Sequence, residues 1–418
     1  MEEEELLKQR QTYNIRLLTI FFLYVTFNGA IRKWILTDGL TANLLLGIQI
    51  GMPVLFALLA KTKPASYFTR VVMGGYSLLL IAMAFNPLAQ TPFHGLIGYF
   101  LHIGVYLPLL VYMDDREAFP VERMNRLFLI IILIELGLGV IQFMSPANSF
   151  INKYVRDTSE SGGVATLYAV QRVRITGTYS YIGGLTALFT FFGFWVWGLR
   201  LMKASVLLIV TILIACAVIA PMTGSRGLLA MLVILVGCSF LSTITDVRTV
   251  IGLAGLGGLF LLISQYIDVS LVEEAYAGIN HRIVAHLEDG ETEDRVFGQI
   301  LEIIDFRGAY PLFGTGLGGT YQGAKALFGE SIYLQEYGYY EEEPERIVLE
   351  GGFLLFFVRL FLWGLLARRS TIPALFGAIL VYLLVFNSAT VYNVNVVFYS
   401  VMGWIYLDRS YYLRQNDL

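Results

Sequence analysis

Residues Ser205–Thr243 read SVLLIVTILIACAVIAPMTGSRGLLAMLVILVGCSFLST. Two apolar runs, Ser205–Pro221 and Gly227–Thr243, enclose Thr223-Gly-Ser-Arg-Gly227, and Arg226 is the only charge in the stretch. A run of roughly 17 residues is enough to span the hydrocarbon core of a bilayer as a helix. Lipid offers no partner to a backbone N–H or C=O, so such a run must satisfy its own hydrogen bonds internally. The pair therefore reads as two membrane helices joined by a compact polar turn at the membrane surface.

Similar runs occur on both sides of this pair: Ile15–Ile35, Leu40–Ala60, Thr69–Pro87, Phe93–Met113, Leu127–Met144 and Tyr179–Leu199 before it, and Val250–Ile267, Ile347–Leu366, Ile372–Phe386 and Val391–Leu407 after it. The reading is an all-α polytopic membrane protein of about twelve transmembrane helices, with residues 1–418 a single integral membrane domain. Composition agrees. Of 418 residues 56% are hydrophobic and 15% charged, against about 25% charged in soluble domains, and the mean hydropathy is +0.66. The opening MEEEELLKQRQTYNIR is acidic and polar rather than a cleavable leader, so the first span is expected to act as its own insertion signal. Cys216 and Cys238 both sit inside apolar runs, where a thiol packs as a small hydrophobe, and no disulfide is expected.

Lysine and arginine bias sets the expected orientation. With the N-terminus in the cytoplasm, sixteen basic residues from Lys8 to Arg414 fall inside, against Arg32, Lys33, Lys153, Arg156, Arg172, Arg174 and Arg226 in short outer loops. Both termini are then cytoplasmic, and residues 268–346 form one large extracytoplasmic cap loop. A loop that long within a compact chain ordinarily has a function. Thr292-Glu-Asp-Arg295 inside it reads as a helix start, with Val296, Ile300, Ile303 and Ile304 on one face.

Four arginines fall on the outer side at helix starts or loop ends: Arg174, Arg226, Arg295 and Arg346. An arginine there ordinarily snorkels to headgroups, yet guanidinium groups and helix N-termini together also suit a phosphate. Glu341, Glu342, Glu343 and Glu345 flank Pro344 at the expected start of a helix, so a carboxylate lies close to the arginines. The run Glu288–Asp294 reads as a solvated acidic turn, and no metal is expected. Glu135 and Arg359 lie inside apolar runs, where an ionisable group needs a partner, and are expected to pair with each other. His94 and His102 are expected to be hydrogen-bonded within the bundle, while His281 and His286 lie in the cap loop.

Arg174-Ile-Thr-Gly-Thr-Tyr before one span, Thr223-Gly-Ser-Arg-Gly-Leu-Leu heading another, Arg295 upstream of Tyr310-Pro-Leu-Phe-Gly-Thr-Gly-Leu-Gly318, and Arg346 with Leu349-Glu-Gly-Gly-Phe opening the next recur in a set order. From Arg172 to Phe357 the chain resembles the O-antigen ligase and O-antigen polymerase superfamily of bacterial membrane glycosyltransferases. The resemblance implies a glycosyltransferase C-like helical fold in the inner membrane, acting outside the cytoplasm on undecaprenyl-diphosphate-linked glycans, inverting and without metal or cofactor. It implies that Arg226 and Arg295 contact the diphosphate; from the residues themselves Arg174 is expected to bind the diphosphate with them, and Glu341, Glu342, Glu343 and Arg346 are the expected catalytic residues, a carboxylate deprotonating the acceptor. The ligases carry a histidine just before this span, where the chain reads Tyr340-Glu-Glu-Glu-Pro-Glu-Arg346, so the implied activity is polymerisation rather than ligation to a non-polymer acceptor. The implied partners are the lipid-linked glycan donor, a glycan acceptor, membrane lipids, and chain-length regulator or flippase proteins, with no nucleic acid. A lipid-linked glycan flippase or transporter is the rival reading; it should show polar residues at mid-membrane and internal repeats.

Overall fold

The computed structural model describes residues 2–154, 165–167, 171–243, 274–278, 312–321, 323, 328–329, 331–337, 343–386 and 393–416. Helices dominate them: α1 Glu2–Ala30, α2 Gly39–Leu59, α3 Tyr67–Ala84, α4 Pro92–Asp114, α5 Asn125–Met144, α6 Ile182–Leu201, α7 Val206–Thr223, α8 Arg226–Leu241, the short α9 Ile332–Tyr337, α10 Glu343–Arg369, α11 Ala374–Phe386 and α12 Val394–Asn416. Among the described residues eight helical stretches are long and apolar enough to cross a membrane; α8 and α11 are apolar but shorter. The chain is an all-α membrane protein. Its only strands are the two-residue β1 (Thr166–Leu167) and β2 (Arg172–Val173), paired antiparallel, among the described residues.

The helices begin where side chains can cap them. Asp38 accepts from the Thr41 N–H, Ser66 from Thr69, Thr91 from His94 and Ser225 from Leu228, each satisfying a donor the first turn leaves open. α1 starts earlier than the apolar run, because Glu3–Arg10 are good helix formers and Glu4 pairs with Lys8 at 2.7 Å one turn on. It ends in a π-turn over Ile31–Ile35. α7 ends on Gly224, whose left-handed φ of 64° lets the chain reverse into α8. The ninth apolar run, Val250–Ile267, and most of the cap loop, including Arg295, lie outside the described residues.

α6 lies at the centre, packed by α12, α7 and α8, while α2 and α3 lie on α4, and α10 on α11. Aromatic side chains fill the middle: Phe22, Phe128, Phe191, Trp195 and Tyr406 stack edge to face around α6. Gly198 and Gly403 let α6 and α12 approach closely, against Tyr406 and Phe194, as small residues do between membrane helices.

The two ends of the bundle differ. At the lower end, where the N-terminus of α1 and the C-terminus of α12 lie, Arg10 meets Asp115 at 2.5 Å, Arg116 meets Asp408 at 2.7 Å and Arg369 meets Asp114 at 2.7 Å. The upper end carries the described turns 31–38, 85–91, 145–154, 171–181, 224–225 and 312–321, and the polar chemistry described below.

One expected pairing is corrected. Arg359 does not meet Glu135: its Nη2 lies 2.5 Å from Glu343 Oε1, and Glu135 instead accepts from the backbone and hydroxyl of Thr178. Sixteen residues of unbroken helix would hold the two about 24 Å apart, so it is the break of α10 at Gly352 that lets Glu343 reach Arg359.

Candidate functional site

The turn between α7 and α8 brings two of the expected arginines together. Thr223 Oγ accepts from the Ser225 N–H at 3.1 Å, and Ser225 caps α8, so Arg226 occupies the first position of that helix, half-buried. Arg174 reaches the same turn from the opposite strand of chain: its Nε donates to Thr223 O at 2.9 Å and its Nη2 to Gly224 O at 3.4 Å. These are the last carbonyls of α7, the negative end of its dipole, and a guanidinium is favoured there. The first N–H groups of α8, beside them, favour an anion. Tyr154 donates from Oη to the Arg174 carbonyl at 3.1 Å. Burial pushes that phenol up to about 12, against the pull of Arg174, so it keeps its proton at neutral pH.

The segment carrying Arg174 is fixed from below. Ile175 N bonds Met222 O, which ties it to α7. Gln142 Oε1 accepts from the N–H groups of Thr176 and Gly177 at 3.1 and 2.8 Å, and its amide donates back to Gly177 O. Lys33, 2% exposed, donates to Thr176 Oγ at 3.1 Å and to Gly177 O at 2.7 Å, while Glu135 receives Thr178. At the far end of the segment Ser180 Oγ accepts from Arg32 Nη1 at 3.1 Å. The π-turn that ends α1 thus aims two cations at one loop.

Arg346 and Glu343 stand on the first turns of α10, and both are buried. Arg346 donates to Thr320 O in the turn 312–321, whose Gly314, Gly316 and Gly318 all have positive φ. That turn replaces what α10 loses at Gly352. There φ is 65° and ψ −176°, a break in the helix that L side chains do not tolerate. Thr315 N and Gly316 N take the freed carbonyls of Leu349 and Glu350, and Leu354 N bonds Leu312 O. Glu350, fully buried, accepts from Gly318 N and Thr320 N at 2.7 Å each and from Thr320 Oγ at 2.6 Å. Behind it, Arg359 donates to His102 Nδ1 at 2.9 Å. Arginine has no lone pair to offer, so Nδ1 is the acceptor and Nε2 carries the hydrogen toward Glu350 Oε2, 3.9 Å away. Glu343, Arg359, His102 and Glu350 form one buried relay that fixes the glycine turn beside Arg346.

Of the expected site residues, Arg174 and Arg226 share a turn and Arg346 lies at the same end of the bundle. Glu343 is 1% exposed and engaged with Arg359. Arg295, Glu341 and Glu342 lie outside the described residues, as do Glu288–Asp294, His281 and His286. His94, by contrast, is hydrogen-bonded in the bundle through Thr91, and Cys216 and Cys238 are free buried thiols. Sequence reasoning missed Lys33, Arg32 and Glu350. A carboxylate inside Leu349-Glu-Gly-Gly was the available signal for the last, whereas Arg32-Lys33 read as an ordinary short loop. The chain matches no protein family model, no curated protein and no solved structure.

Proposed function

We propose that the protein is an inner-membrane glycosyltransferase that polymerises undecaprenyl-diphosphate-linked oligosaccharides outside the cytoplasm, in the manner of the O-antigen polymerases. The observation that carries this reading is the convergence of Arg174 and Arg226 on one turn at the head of α8. Two guanidiniums and the N–H groups of a helix start suit a diphosphate. In this reading twelve helices thread the membrane, both termini are cytoplasmic, the upper end faces outward and residues 268–346 cap the site.

The reaction is an inverting displacement. A sugar hydroxyl of the acceptor forms a bond to the anomeric carbon of the donor, the bond from that carbon to the diphosphate oxygen breaks, and the hydroxyl proton passes to a carboxylate. Glu341 and Glu342 are assigned that proton, because Glu343 is engaged with Arg359. Arg174, Arg226 and Arg295 stabilise the charge growing on the departing diphosphate, and Arg346 orients the acceptor sugar.

One observation favours the rival transporter reading: α10 is broken at Gly352 and buried ionisable groups lie beside the break, as in carriers with discontinuous helices. Reconstituted protein given lipid-linked oligosaccharide separates the two. Longer glycan chains and released undecaprenyl diphosphate are expected. Transbilayer movement of the intact lipid without chain growth would refute the glycosyltransferase reading.

A further inference from the structure

Three polar atoms at the upper end are closed off from solvent and have no hydrogen-bond partner among the described residues: Trp34 Nε1, Ser149 Oγ and Asn152 Oδ1. Such atoms are rare in folded proteins, because each bond left unmade is costly. The Asn152 amide sends its nitrogen to three carbonyls, Gln142 O at 3.1 Å, Ser145 O at 3.2 Å and Pro146 O at 3.0 Å. Its orientation is thereby settled, and the oxygen is the end that lacks a donor. Ser149 precedes the 3-10 turn Phe150–Asn152, and the Phe150 ring lies 6.4 Å from that of Trp34. Lys33 Nζ stands 4.6 Å over the Trp34 ring, and Lys153 Nζ 4.8 Å over that of Phe150. Gln142 Nε2 ties this group to the arginine segment, donating to Ile151 O at 3.0 Å and to Gly177 O at 3.1 Å. Aromatic rings at a membrane interface often only anchor the chain. Anchoring leaves an indole N–H in the wet headgroup layer, whereas that of Trp34 is buried without a partner. The unmatched set is one donor, one acceptor and one hydroxyl that is both. A diphosphate brings no hydrogen to an amide oxygen, but sugar hydroxyls serve all three, and the C–H face of a sugar ring packs on an aromatic one.

We propose that Trp34, Ser149, Phe150 and Asn152 form a subsite for a neutral sugar ring. Resting on the glycosyl-transfer reading, the occupant is a sugar of the lipid-linked glycan whose diphosphate lies at the Arg174–Arg226 turn. Gly177 is three residues from Arg174, a span of at most roughly 10 Å, which a short run of sugar rings covers. Phe150 is 59% exposed, and exposed side chains change rotamer within nanoseconds, so its ring can turn onto the sugar and admit hydroxyls to the atoms beside it.

The test is native mass spectrometry of the full-length protein in phosphatidylcholine nanodiscs with two probes: lipid-linked oligosaccharide extracted from cells that make the protein, and a polyprenyl diphosphate without sugar. Wild type is expected to bind the sugar-bearing probe more tightly. Ser149→Ala and Trp34→Phe should each weaken that probe alone by about 3- to 10-fold, the effect of one hydrogen bond, and Phe150→Leu by about 2- to 10-fold through lost stacking. Ser149→Ala removes an unmatched hydroxyl, so it is expected to unfold at no lower a concentration of sodium dodecyl sulfate than wild type. A clear loss of stability there makes the hydroxyl structural and overturns the proposal. Equal binding of the two probes by wild type overturns it too, as do variants that weaken both probes alike or neither. Polymer formation by the same preparations separates this proposal from the reading it rests on. Chain growth with sugar binding unchanged in the variants strikes the subsite alone; sugar-selective binding that the variants lose, without chain growth by wild type, leaves the subsite and strikes the transferase. Variants that weaken phosphatidylglycerol binding and spare the sugar-bearing probe make a headgroup the occupant and overturn the glycan assignment.

Discussion

Replacing Glu350 by glutamine keeps the shape of the side chain and changes only what it can accept. The carboxylate receives three hydrogen bonds, from Gly318 N, Thr320 N and Thr320 Oγ, and faces His102. In either amide orientation an NH2 group meets at least one backbone N–H, leaving a buried donor unsatisfied at about 1–3 kcal/mol. The bonds that remain change from charged to neutral acceptors, losing about 0.5–1 kcal/mol each. Removing a buried charge works the other way, since its desolvation is no longer required. The donors outnumber any alternative partner for them, so the net expected loss is about 3 kcal/mol, roughly a 150-fold change in the folded-to-unfolded ratio. Unfolding in mixed micelles titrated with sodium dodecyl sulfate and followed by circular dichroism measures it. A loss under about 1 kcal/mol, or a gain, refutes the assignment of Glu350 as anchor of the glycine turn.

Other outcomes follow from the same geometry. Arg226→Lys should fail nearly as badly in polymer formation as Arg226→Ala, each down about 10² to 10³, because an ammonium keeps the charge without the planar fork; a lysine variant with most of the activity sinks bidentate recognition. Gly198→Ala should cost about 1–3 kcal/mol by overpacking, since an added Cβ would lie 2.5 Å from Ser410 Oγ, whereas Gly227→Ala meets nothing within 4 Å and serves as control. Activity is expected to survive chelation, the arginines supplying fixed positive charge; loss with EDTA and rescue by magnesium would turn attention to Glu288–Asp294. A cysteine at Gly329 should react with an impermeant reagent in intact cells, and reaction only after permeabilisation would invert the topology.

How much of this was legible in the sequence depends on the range of the interaction. Apolar runs announce membrane helices because lipid imposes one demand on every residue of the run, and helices such as α2, α4 and α5 begin and end within a few residues of those limits. The polar turn at Arg226 was equally plain, since a lone charge between two apolar runs has few places to go. The pairing of Arg359 was not. Its partner Glu343 lies sixteen residues away on the same helix, but the intervening break at Gly352 and the relay through His102 on α4 are tertiary facts. Lys33 was hidden for a related reason: its partners are a hydroxyl and a carbonyl in the 174–181 segment, a contact that no local pattern encodes.

Buried ionisable groups at the upper end divide by what they touch. Glu350 and Glu343 hold donors and a guanidinium that belong to the protein itself, so their cost is repaid in fixing α10 and its glycine turn. Lys33 and Gln142 likewise bind backbone, and their effect is to hold the segment that ends in Arg174. Arg174, Arg226, Arg32 and Arg346 stand at the exits of these scaffolds, on a turn, a helix start, a π-turn and a helix start. At the lower end Arg10, Arg116 and Arg369 each meet a carboxylate. At the upper end Arg174 donates to carbonyls, Arg32 to a hydroxyl and Arg346 to a carbonyl, contacts that fix where each guanidinium points. A bidentate grip on a phosphate depends on the direction of the guanidinium fork as much as on its charge, and these contacts supply that direction at the end of the bundle where the proposed diphosphate site lies.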